Sequence, residues 1–190
     1  MTGLDSKKII GGGRKADRKP MDFYPTPPEA TDALYVFLSR ENLMTPGDRI
    51  WEPACGDGAI SRYLIAKRHA VFSSDIRTDS GYGWGGLDFL QTADRTDCDW
   101  IITNPPFNVS EAFIDKCLSL DVPFALLLKS QYWHGQRRHK LFYKRTPYAV
   151  CPLCWRPDFT GGGSSLMDMA WTVWTTKNEL TRYKPLRKPQ

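Results

Sequence analysis

The sequence Thr103-Asn104-Pro105-Pro106-Phe107 directly follows the apolar run CDWII, at the end of a predicted buried strand. Two consecutive prolines cannot continue a strand, so the chain must turn at this point. The Asn104 amide oxygen and the Pro105 carbonyl oxygen are then two acceptors on a rigid backbone, suited to holding one planar amine with its nitrogen lone pair facing an electrophile. Phe107 could stack on the ring that carries this amine. Taken alone, the motif could also be a rigid turn without a chemical role.

Three further loops carry residues that suit a nucleoside. Gly56 and Gly58 in EPACGDG allow a tight turn and close approach of a ligand to the backbone at the start of a helix. Asp75 ends the next predicted strand, where a carboxylate can accept from ribose hydroxyls. Asp88 and Phe89 follow in the next loop, where the carboxylate can accept from an exocyclic amine and the ring can flank a purine. Each could be an ordinary loop residue, but together they predict one nucleoside pocket at the carboxyl ends of the strands.

Strand-like and helix-like segments alternate through most of the chain. Helices are predicted over residues 27–42, 58–69 and 109–120, and strands over 48–53, 70–76, 98–104 and 123–130. Two last strands, over 151–159 and 170–177, are predicted to form an antiparallel hairpin joined by a Gly/Ser turn that closes the sheet. The pattern therefore predicts an α/β fold with a mostly parallel twisted sheet and helices on both faces.

Composition favours one globular domain. The chain has 190 residues, of which 41% are hydrophobic and 25% charged. We expect a domain over residues 21–176, a flexible basic arm over 1–20 and a basic C-terminal tail over 177–190. Because no apolar run approaches the roughly 20 residues of a membrane span and the start lacks the apolar core of a signal peptide, we expect a cytoplasmic protein with no membrane partner. The five cysteines are expected to be reduced thiols, mostly in the core.

Residues 122–157 contain seven Lys/Arg and no acidic residue, and aromatic side chains are interleaved with the positive charges. Such a surface suits phosphate contacts combined with base stacking, although a solvated basic face over core aromatics would have the same composition. The predicted nucleic-acid-binding residues are Lys129, Tyr132, Trp133, Arg137, Arg138, Lys140, Lys144 and Arg145.

Histidine and cysteine residues offer a weaker alternative. His134, His139, Cys151 and Cys154 could form a tetrahedral zinc site. The two cysteines, however, fall in a predicted strand, where side chains three positions apart point to opposite faces. We therefore expect no metal, with the His pair on the basic surface and the Cys pair in packing. His69, at the end of a predicted helix, is expected at the surface.

The ordered motifs DFYPTPP, EPACGDG, SSDI, LDF and NPPF resemble those of the S-adenosylmethionine-dependent amino-methyltransferases. In particular, they resemble the small phage and prophage DNA N6-adenine methyltransferases, with the cofactor half before the catalytic half, as in the gamma arrangement. The ending RPDFTGGGSSLMDMAWTVW is similar to theirs as well, and the likeness spans about residues 22–175. The resemblance implies a class I, Rossmann-like methyltransferase fold, S-adenosylmethionine as cofactor, and methyl transfer to the N6 amine of adenine in DNA.

The resemblance also implies roles for individual residues. The implied catalytic motif is Asn104, Pro105, Pro106 and Phe107. Within it, Asn104 and Pro105 would bind the target amine, and Phe107 would stack on a base extruded from the duplex. The implied cofactor contacts are Tyr24, Thr26 and Pro27 at the methionine end, Glu52, Ala54 and Gly56 at the sulfonium and amino-acid portion, Asp75 at the ribose, and Asp88 and Phe89 at the adenine.

Other functions stay open at this point. The same motif serves enzymes that methylate adenine N6 or guanine N2 in RNA, or a glutamine side chain in a protein. The basic segment favours nucleic acid but does not separate DNA from RNA. A non-catalytic module that binds the cofactor or nucleic acid is a further alternative, as is a dinucleotide-dependent oxidoreductase, although Ser61 stands where that fingerprint needs its third glycine. Since no separate target-recognition domain is evident, we expect a short or relaxed recognition sequence, read by residues 129–150 and the tails.

Overall fold

The central element is an eight-stranded mixed sheet with strand order β3-β2-β1-β4-β5-β7-β6-β8. A computed structural model of the chain describes residues 24–92, 97–163, 167–176 and 180–189, so the predicted arm over residues 1–20 lies outside the described residues. The strands are β1 Arg49–Glu52, β2 Ala70–Asp75, β3 Trp84–Gly85, β4 Trp100–Thr103, β5 Phe124–Lys129, β6 Ala149–Pro152, β7 Met169–Trp174 and β8 Arg182–Tyr183. The helices are α1 Pro28–Arg40, α2 Ala59–Ala66, α3 Ser110–Leu120 and α4 His139–Lys144, and short 3₁₀ turns cover Ser130–Trp133 and Gln136–Arg138.

Strand direction brings the first loops together. β1 pairs in parallel with β2 and with β4, and β4 pairs in parallel with β5. β7 is antiparallel to both of its neighbours, β5 and β6. The carboxyl ends of β1, β2, β4 and β5 therefore meet at one edge of the sheet, which we call the carboxyl edge.

Two apolar clusters cover the two faces of the sheet. Alternate strand residues point to opposite faces, so Ile50 packs with helices α1 and α2, whereas its neighbour Trp51 packs with helix α3. The same alternation holds for Ile102 and Ile101 in β4. Because the central strands are buried on both faces, their sequences are continuously apolar, as expected for parallel strands between helices.

The predicted helices and the four central strands are confirmed, with ends that differ by a few residues. The predicted antiparallel pair also forms, since β6 pairs with β7. The strand predicted over 151–159 is wrong beyond Pro152, because the chain leaves the sheet after an isolated bridge between Leu153 and Leu186. The hairpin does not close the sheet either, because β8 adds to the outer side of β6.

The C-terminal segment, residues 180–189, is attached to the domain rather than merely following it. Its backbone continues from β8, and the Leu186 N–H donates to the Pro152 carbonyl while the Leu186 carbonyl accepts from Cys154. Lys184 lies 3.9 Å from Glu41 at the end of helix α1, and Lys188 lies 3.4 Å from Glu29 in its first turn. The segment thus runs alongside α1, although it falls within the stretch expected to be a basic tail.

No helix in the described part of the chain is long and apolar enough to cross a bilayer.

Four of the five cysteines are buried and Cys154 is exposed.

Candidate active site

A cavity of about 270 Å³ opens at the carboxyl edge, between the loops that follow β1, β2 and β4. Ten of the predicted cofactor and catalytic residues line it: Tyr24, Thr26, Glu52, Ala54, Gly56, Asp75, Asp88, Phe89, Asn104 and Pro106. Pro27, Pro105 and Phe107 do not line it. Pro27 caps the start of helix α1, Pro105 is buried, and Phe107 packs against Tyr24.

Glu52, at the end of β1, is a buried carboxyl group held from the start of helix α2. It accepts a hydrogen bond of 2.8 Å from the Ser61 backbone N–H and another from the Ser61 hydroxyl. Burial raises the pKa of Glu52 to about 8, and the Ser61 hydrogen bonds offset only part of this effect. Ser61, which stands where the dinucleotide fingerprint needs its third glycine, therefore orients the Glu52 carboxyl group.

The glycine loop itself is bound to the end of β2. Asp75 is buried, and its Oδ2 accepts from the Gly56 N–H at 2.8 Å. Its Oδ1 accepts from the Arg77 backbone N–H at 2.9 Å and forms an ion pair with the Arg77 guanidinium at 3.1 Å. The carboxylate predicted to take ribose hydroxyls is thus fixed in orientation at the cavity wall.

Asp88 and Phe89 differ in how freely they could meet a ligand. Asp88 is half-buried, and its Oδ1 accepts from the Leu90 N–H at 2.9 Å. Phe89 is only 2% exposed. Its ring packs edge-on against Trp51, with centroids 5.0 Å apart, and in a tilted arrangement against Phe113, with centroids 4.9 Å apart. Phe89 is therefore a core residue as well as part of the cavity wall.

Asn104 follows β4 and has one side of its amide engaged. Its Nδ2 donates to the Thr26 hydroxyl at 3.1 Å and to the Tyr24 carbonyl at 3.4 Å. Because these bonds fix the orientation of the amide group, its Oδ1 points away from Tyr24 and Thr26. Oδ1 is buried and has no hydrogen-bond partner among the described residues. The side chain therefore holds an unused acceptor at the cavity wall.

Aromatic rings gather beside Asn104. Tyr24 and Phe107 stack with centroids 5.8 Å apart, and Phe159 meets Tyr24 edge-on at 6.3 Å. Lys129, at the end of β5, places its Nζ 4.2 Å from the centroid of the Phe107 ring. Segments that are remote in sequence thus form one aromatic and cationic surface next to the unused acceptor.

Sequence reasoning missed several residues of the site. Arg77 and Cys55 line the cavity, and both adjoin predicted residues, so their neighbourhood was a usable signal. Phe159 lies more than fifty residues beyond the motif it joins; it stands in the ending RPDFTGGGSSLMDMAWTVW, which resembled the family, but no role at the site was predicted for it. Tyr82 was also missed: a Cβ at Gly58 would overlap its ring, so the loop before β3 lies directly on the glycine loop.

The predicted nucleic-acid-binding residues separate into two regions. Tyr132, Trp133 and Arg138 lie just beyond the carboxyl end of β5, and Arg138 stacks on the Tyr132 ring at 4.3 Å. Lys140 is exposed on α4. Arg145, in contrast, pairs with Asp121 at 3.0 Å, and its carbonyl accepts from the indole of Trp174.

Trp174 pairs with Phe124, the first residue of β5, so Arg145 lies at the opposite edge of the sheet from the cavity. Arg137 and Lys144 belong to the same segment, but their side chains are outside the described part of the structure.

The histidines and cysteines do not gather. Within the described ranges, no three His, Cys, Asp or Glu residues are grouped as metal ligands would be. Cys151 is buried in β6, whereas Cys154 is exposed. The expectation that His69 is a surface residue is wrong: it is buried, with Nδ1 3.2 Å from the Asp48 carbonyl and its ring edge-on to Tyr35.

Comparison with solved structures relates this architecture to methyltransferases. A proposed RNA methyltransferase from Pyrococcus horikoshii gives a TM-score of 0.63 at 14% identity, over 90% of this chain and 99% of that chain. A proposed class I S-adenosylmethionine-dependent methyltransferase from Listeria monocytogenes gives a TM-score of 0.63 at 12% identity, over 95% of this chain and 69% of that chain. A type I restriction-modification methyltransferase subunit from Streptococcus thermophilus gives 0.60 at 15% identity, over 85% of this chain but 47% of that subunit. No protein-family model matches the sequence, and neither does any curated protein.

The sheet order and these similarities define the class of fold. The chain has the class I methyltransferase fold, with a mostly parallel sheet, helices on both faces and one reversed strand near the edge. This confirms the fold expected from the sequence. The Listeria monocytogenes structure with this fold is named as that of an S-adenosylmethionine-dependent enzyme.

Proposed function

We propose that this protein transfers a methyl group from S-adenosylmethionine to the exocyclic N6 amine of adenine in DNA. The observation that carries the proposal is the unused Oδ1 of Asn104, a fixed acceptor at the wall of the cavity. A buried acceptor without a partner costs free energy, commonly about 1–3 kcal/mol, so its retention is best explained by a donor that arrives with the substrate. An exocyclic amine is such a donor.

The residues around the cavity fit the expected cofactor. Asp75 offers a carboxylate for ribose hydroxyls, and the Gly56–Gly58 loop with the start of helix α2 gives close backbone approach. Glu52 and Tyr24 reach the same cavity and would hold the amino-acid end. Bound S-adenosylmethionine would supply an electrophilic methyl group on its sulfonium.

The chain's own residues then have mainly positioning work. Asn104 Oδ1 would accept from the target amine and orient its lone pair toward the methyl carbon. These residues would hold the amine nitrogen in line with the methyl group of the bound cofactor, and the proton that the amine loses would leave to solvent afterwards. Holding the two reactants in line and away from water is the main source of acceleration in such a step.

The choice of nucleic acid rests on charge and ring stacking. The acid-free basic segment is continuous with the carboxyl end of β5 and suits phosphates. Tyr24 and Phe107, which are partly buried, offer rings for a base taken out of the stack, and the buried Phe159 supports Tyr24 from behind. DNA is favoured by the resemblance in motif order and by the named activity of the restriction-modification subunit with the same fold.

RNA methylation is the second candidate. The structure from Pyrococcus horikoshii, named as a proposed RNA methyltransferase, is matched over 99% of its length and shares the fold. The same cavity and the same basic segment would serve an unpaired adenine in RNA. The two candidates differ only in the polymer that accepts the methyl group.

Asn104→Ala tests the central assignment. We expect methyl transfer to fall by at least about 100-fold, because the amine loses its oriented acceptor, while calorimetric binding of S-adenosylmethionine stays within a few-fold of that of the unchanged protein. Asn104→Asp keeps an acceptor but alters the contact with Thr26, so it should retain more activity than alanine. Transfer that survives Asn104→Ala undiminished would contradict the assignment.

A further inference from the structure

A second concavity lies in the connection between β5 and β6. It is an open groove of about 480 Å³, bounded by the two 3₁₀ turns on one side and by helix α4 on the other. The lining side chains that matter here are Trp133, Gln136, His139, Phe142 and Tyr143. This groove shares no lining residue with the candidate active site.

Flat rings dominate the groove. Trp133 and Phe142 stack with centroids 4.1 Å apart and an interplanar angle of 18°, and His139 and Tyr143 stack at 5.8 Å with the same angle. Tyr143 is 83% exposed, which is unusual for a ring that could have packed into the core. The buried Nε1 of Trp133 has no acceptor among the described residues, so the aromatic wall also holds an unused donor.

The groove is joined to the candidate active site through packing. Tyr132 and Phe142 pack against the apolar cluster that contains Phe113, and Val109 packs against the same cluster. Val109 and Phe113 both line the active-site cavity. The groove therefore packs on the same apolar cluster as helix α3, which follows the Asn104 loop.

Charge selects the kind of occupant. Residues 122–157, which include the entire groove, contain no acidic residue. Arg138 and the exposed Lys140 flank the groove, so a second copy of this chain would bring like charges together there. Glu111 and Asp115 on helix α3 face the Tyr132 side of the segment. A flat, anionic ligand satisfies both the rings and the charge, and a nucleotide within a strand has a flat base and a phosphate.

We propose that this groove binds an unpaired nucleotide of the DNA substrate, next to the extruded target, with its base against Tyr143 and the Trp133–Phe142 pair. This inference rests on the proposed function, because it assumes that the substrate is DNA. It locates a base-contacting surface outside the active site, where a preference for sequence next to the target can arise.

The test compares binding of a labelled single-stranded DNA oligonucleotide by anisotropy over a series of salt concentrations. Tyr143→Ala is the main variant, because its exposed side chain can be removed without opening the core. The matched control is Trp84→Ala, which also removes an exposed ring, 68% exposed, but in β3 at the opposite side of the sheet. Melting temperatures of all three proteins are measured in parallel.

We expect Tyr143→Ala to lower affinity by about 10-fold, the size of one lost base-stacking contact. The slope of log affinity against log salt should not change, because no phosphate contact is removed. Trp84→Ala should bind the oligonucleotide with the same affinity as the wild-type protein. Unchanged affinity in Tyr143→Ala, or a loss that appears only as a smaller salt slope, would overturn the groove assignment.

Methyl transfer to DNA, measured on the same preparations, separates the two levels of failure. If the unchanged protein methylates DNA and Tyr143→Ala binds just as tightly, the groove proposal alone is wrong. If the unchanged protein neither binds nor methylates DNA, the proposed function is wrong and the groove proposal falls with it.

Discussion

At the scale of single residues, two buried groups define what the cavity can do. Asn104 has its amide nitrogen engaged and its oxygen unused, so it is oriented before any substrate arrives. Glu52 is a carboxyl group whose pKa is raised to about 8 by burial, so near neutral pH it is held mostly in its protonated form. Such preorganised and perturbed groups concentrate at functional sites.

The raised pKa of Glu52 predicts a pH-dependent cofactor affinity. S-adenosylmethionine carries a positive sulfonium, which the ionised carboxylate attracts more than the neutral acid. Affinity should therefore increase with pH by up to about 10-fold per unit below pH 8 and level off above it. Calorimetric titration between pH 6 and pH 9 measures this.

Glu52→Gln is the control, since it keeps an acceptor for Ser61 but cannot ionise. It should bind the cofactor weakly, without the increase toward pH 8. The raised pKa also implies that the free energy of unfolding of the unchanged protein falls as pH rises from the ordinary carboxyl range toward 8, because the folded state retains the proton longer. Identical pH profiles for the two proteins would contradict this role for Glu52.

The residues foreseen from the sequence are those whose position is set locally. Asp75 and Asn104 stand directly after apolar strands, so the rule that parallel strands place their carboxyl ends together was enough to bring them into one site. Phe159 and Lys129 meet Tyr24 and Phe107 only through the tertiary fold. Their joint surface depends on a loop path that no local pattern specifies.

At the scale of elements, the glycine loop is fixed from two sides, by Asp75 beneath it and by Tyr82 upon it. Gly58 begins helix α2 with a φ of 82°, in the left-handed region that favours glycine. The loop before β3 therefore covers the glycine loop, and Gly83 in it lies directly against the Ser73 backbone, where a side chain would not fit.

Gly58→Ala should destabilise the fold by more than backbone strain alone. Gly47→Ala is the matched control, because Gly47 has a φ of 91° but open space where a Cβ would stand. We expect the free energy of unfolding, measured by urea denaturation, to fall by about 1 kcal/mol in Gly47→Ala and by at least about twice that in Gly58→Ala. Adding Tyr82→Ala to Gly58→Ala should recover the excess, and failure to recover it would argue against the contact.

The C-terminal segment should contribute to stability through one partly buried side chain. Leu186 packs against the core cluster, whereas Leu180 in the same segment is 78% exposed. Leu186→Ala should therefore cost about 1–2 kcal/mol and Leu180→Ala less than about 0.5 kcal/mol in the free energy of unfolding. Equal effects would mean that the segment does not support the domain.

Short elements at the edge of the sheet were the ones that the sequence did not predict. β3 and β8 have two residues each, and β8 is fully exposed, so neither carries the alternation or apolar run that identifies a strand. Helix α4 has only six residues, two of them lysines. The long central elements were predictable because burial on both faces imposes a continuous apolar sequence.

At the scale of the whole molecule, charge and topology divide the protein into unlike sides. The carboxyl edge carries the cavity and Lys129, the first basic residue of the segment 122–157, whereas Arg145 lies at the opposite edge, paired with Asp121. Composition alone could not make this distinction, because Lys140 and Arg145 are close in sequence. The structure distinguishes them, because Arg145 is paired with Asp121 whereas Lys140 is exposed.

Salt dependence of DNA binding should reveal this division. Lys140→Ala should lower the slope of log affinity against log salt by about one phosphate contact, since Lys140 is exposed beside the groove. Arg145→Ala should leave the slope unchanged. Anisotropy titrations between low and physiological salt compare the two, and an equal loss of slope would mean that Arg145 also contacts a phosphate.

The most direct test of the account is the identity of the methylated product. Labelled S-adenosylmethionine is supplied with unmethylated DNA, total RNA and a mixed protein extract in parallel, with the unchanged protein and with Asn104→Ala, and the products are digested and separated. We predict label in DNA as N6-methyladenine, lost in Asn104→Ala. Label in RNA or protein alone, or label in DNA that does not depend on Asn104, would contradict the account.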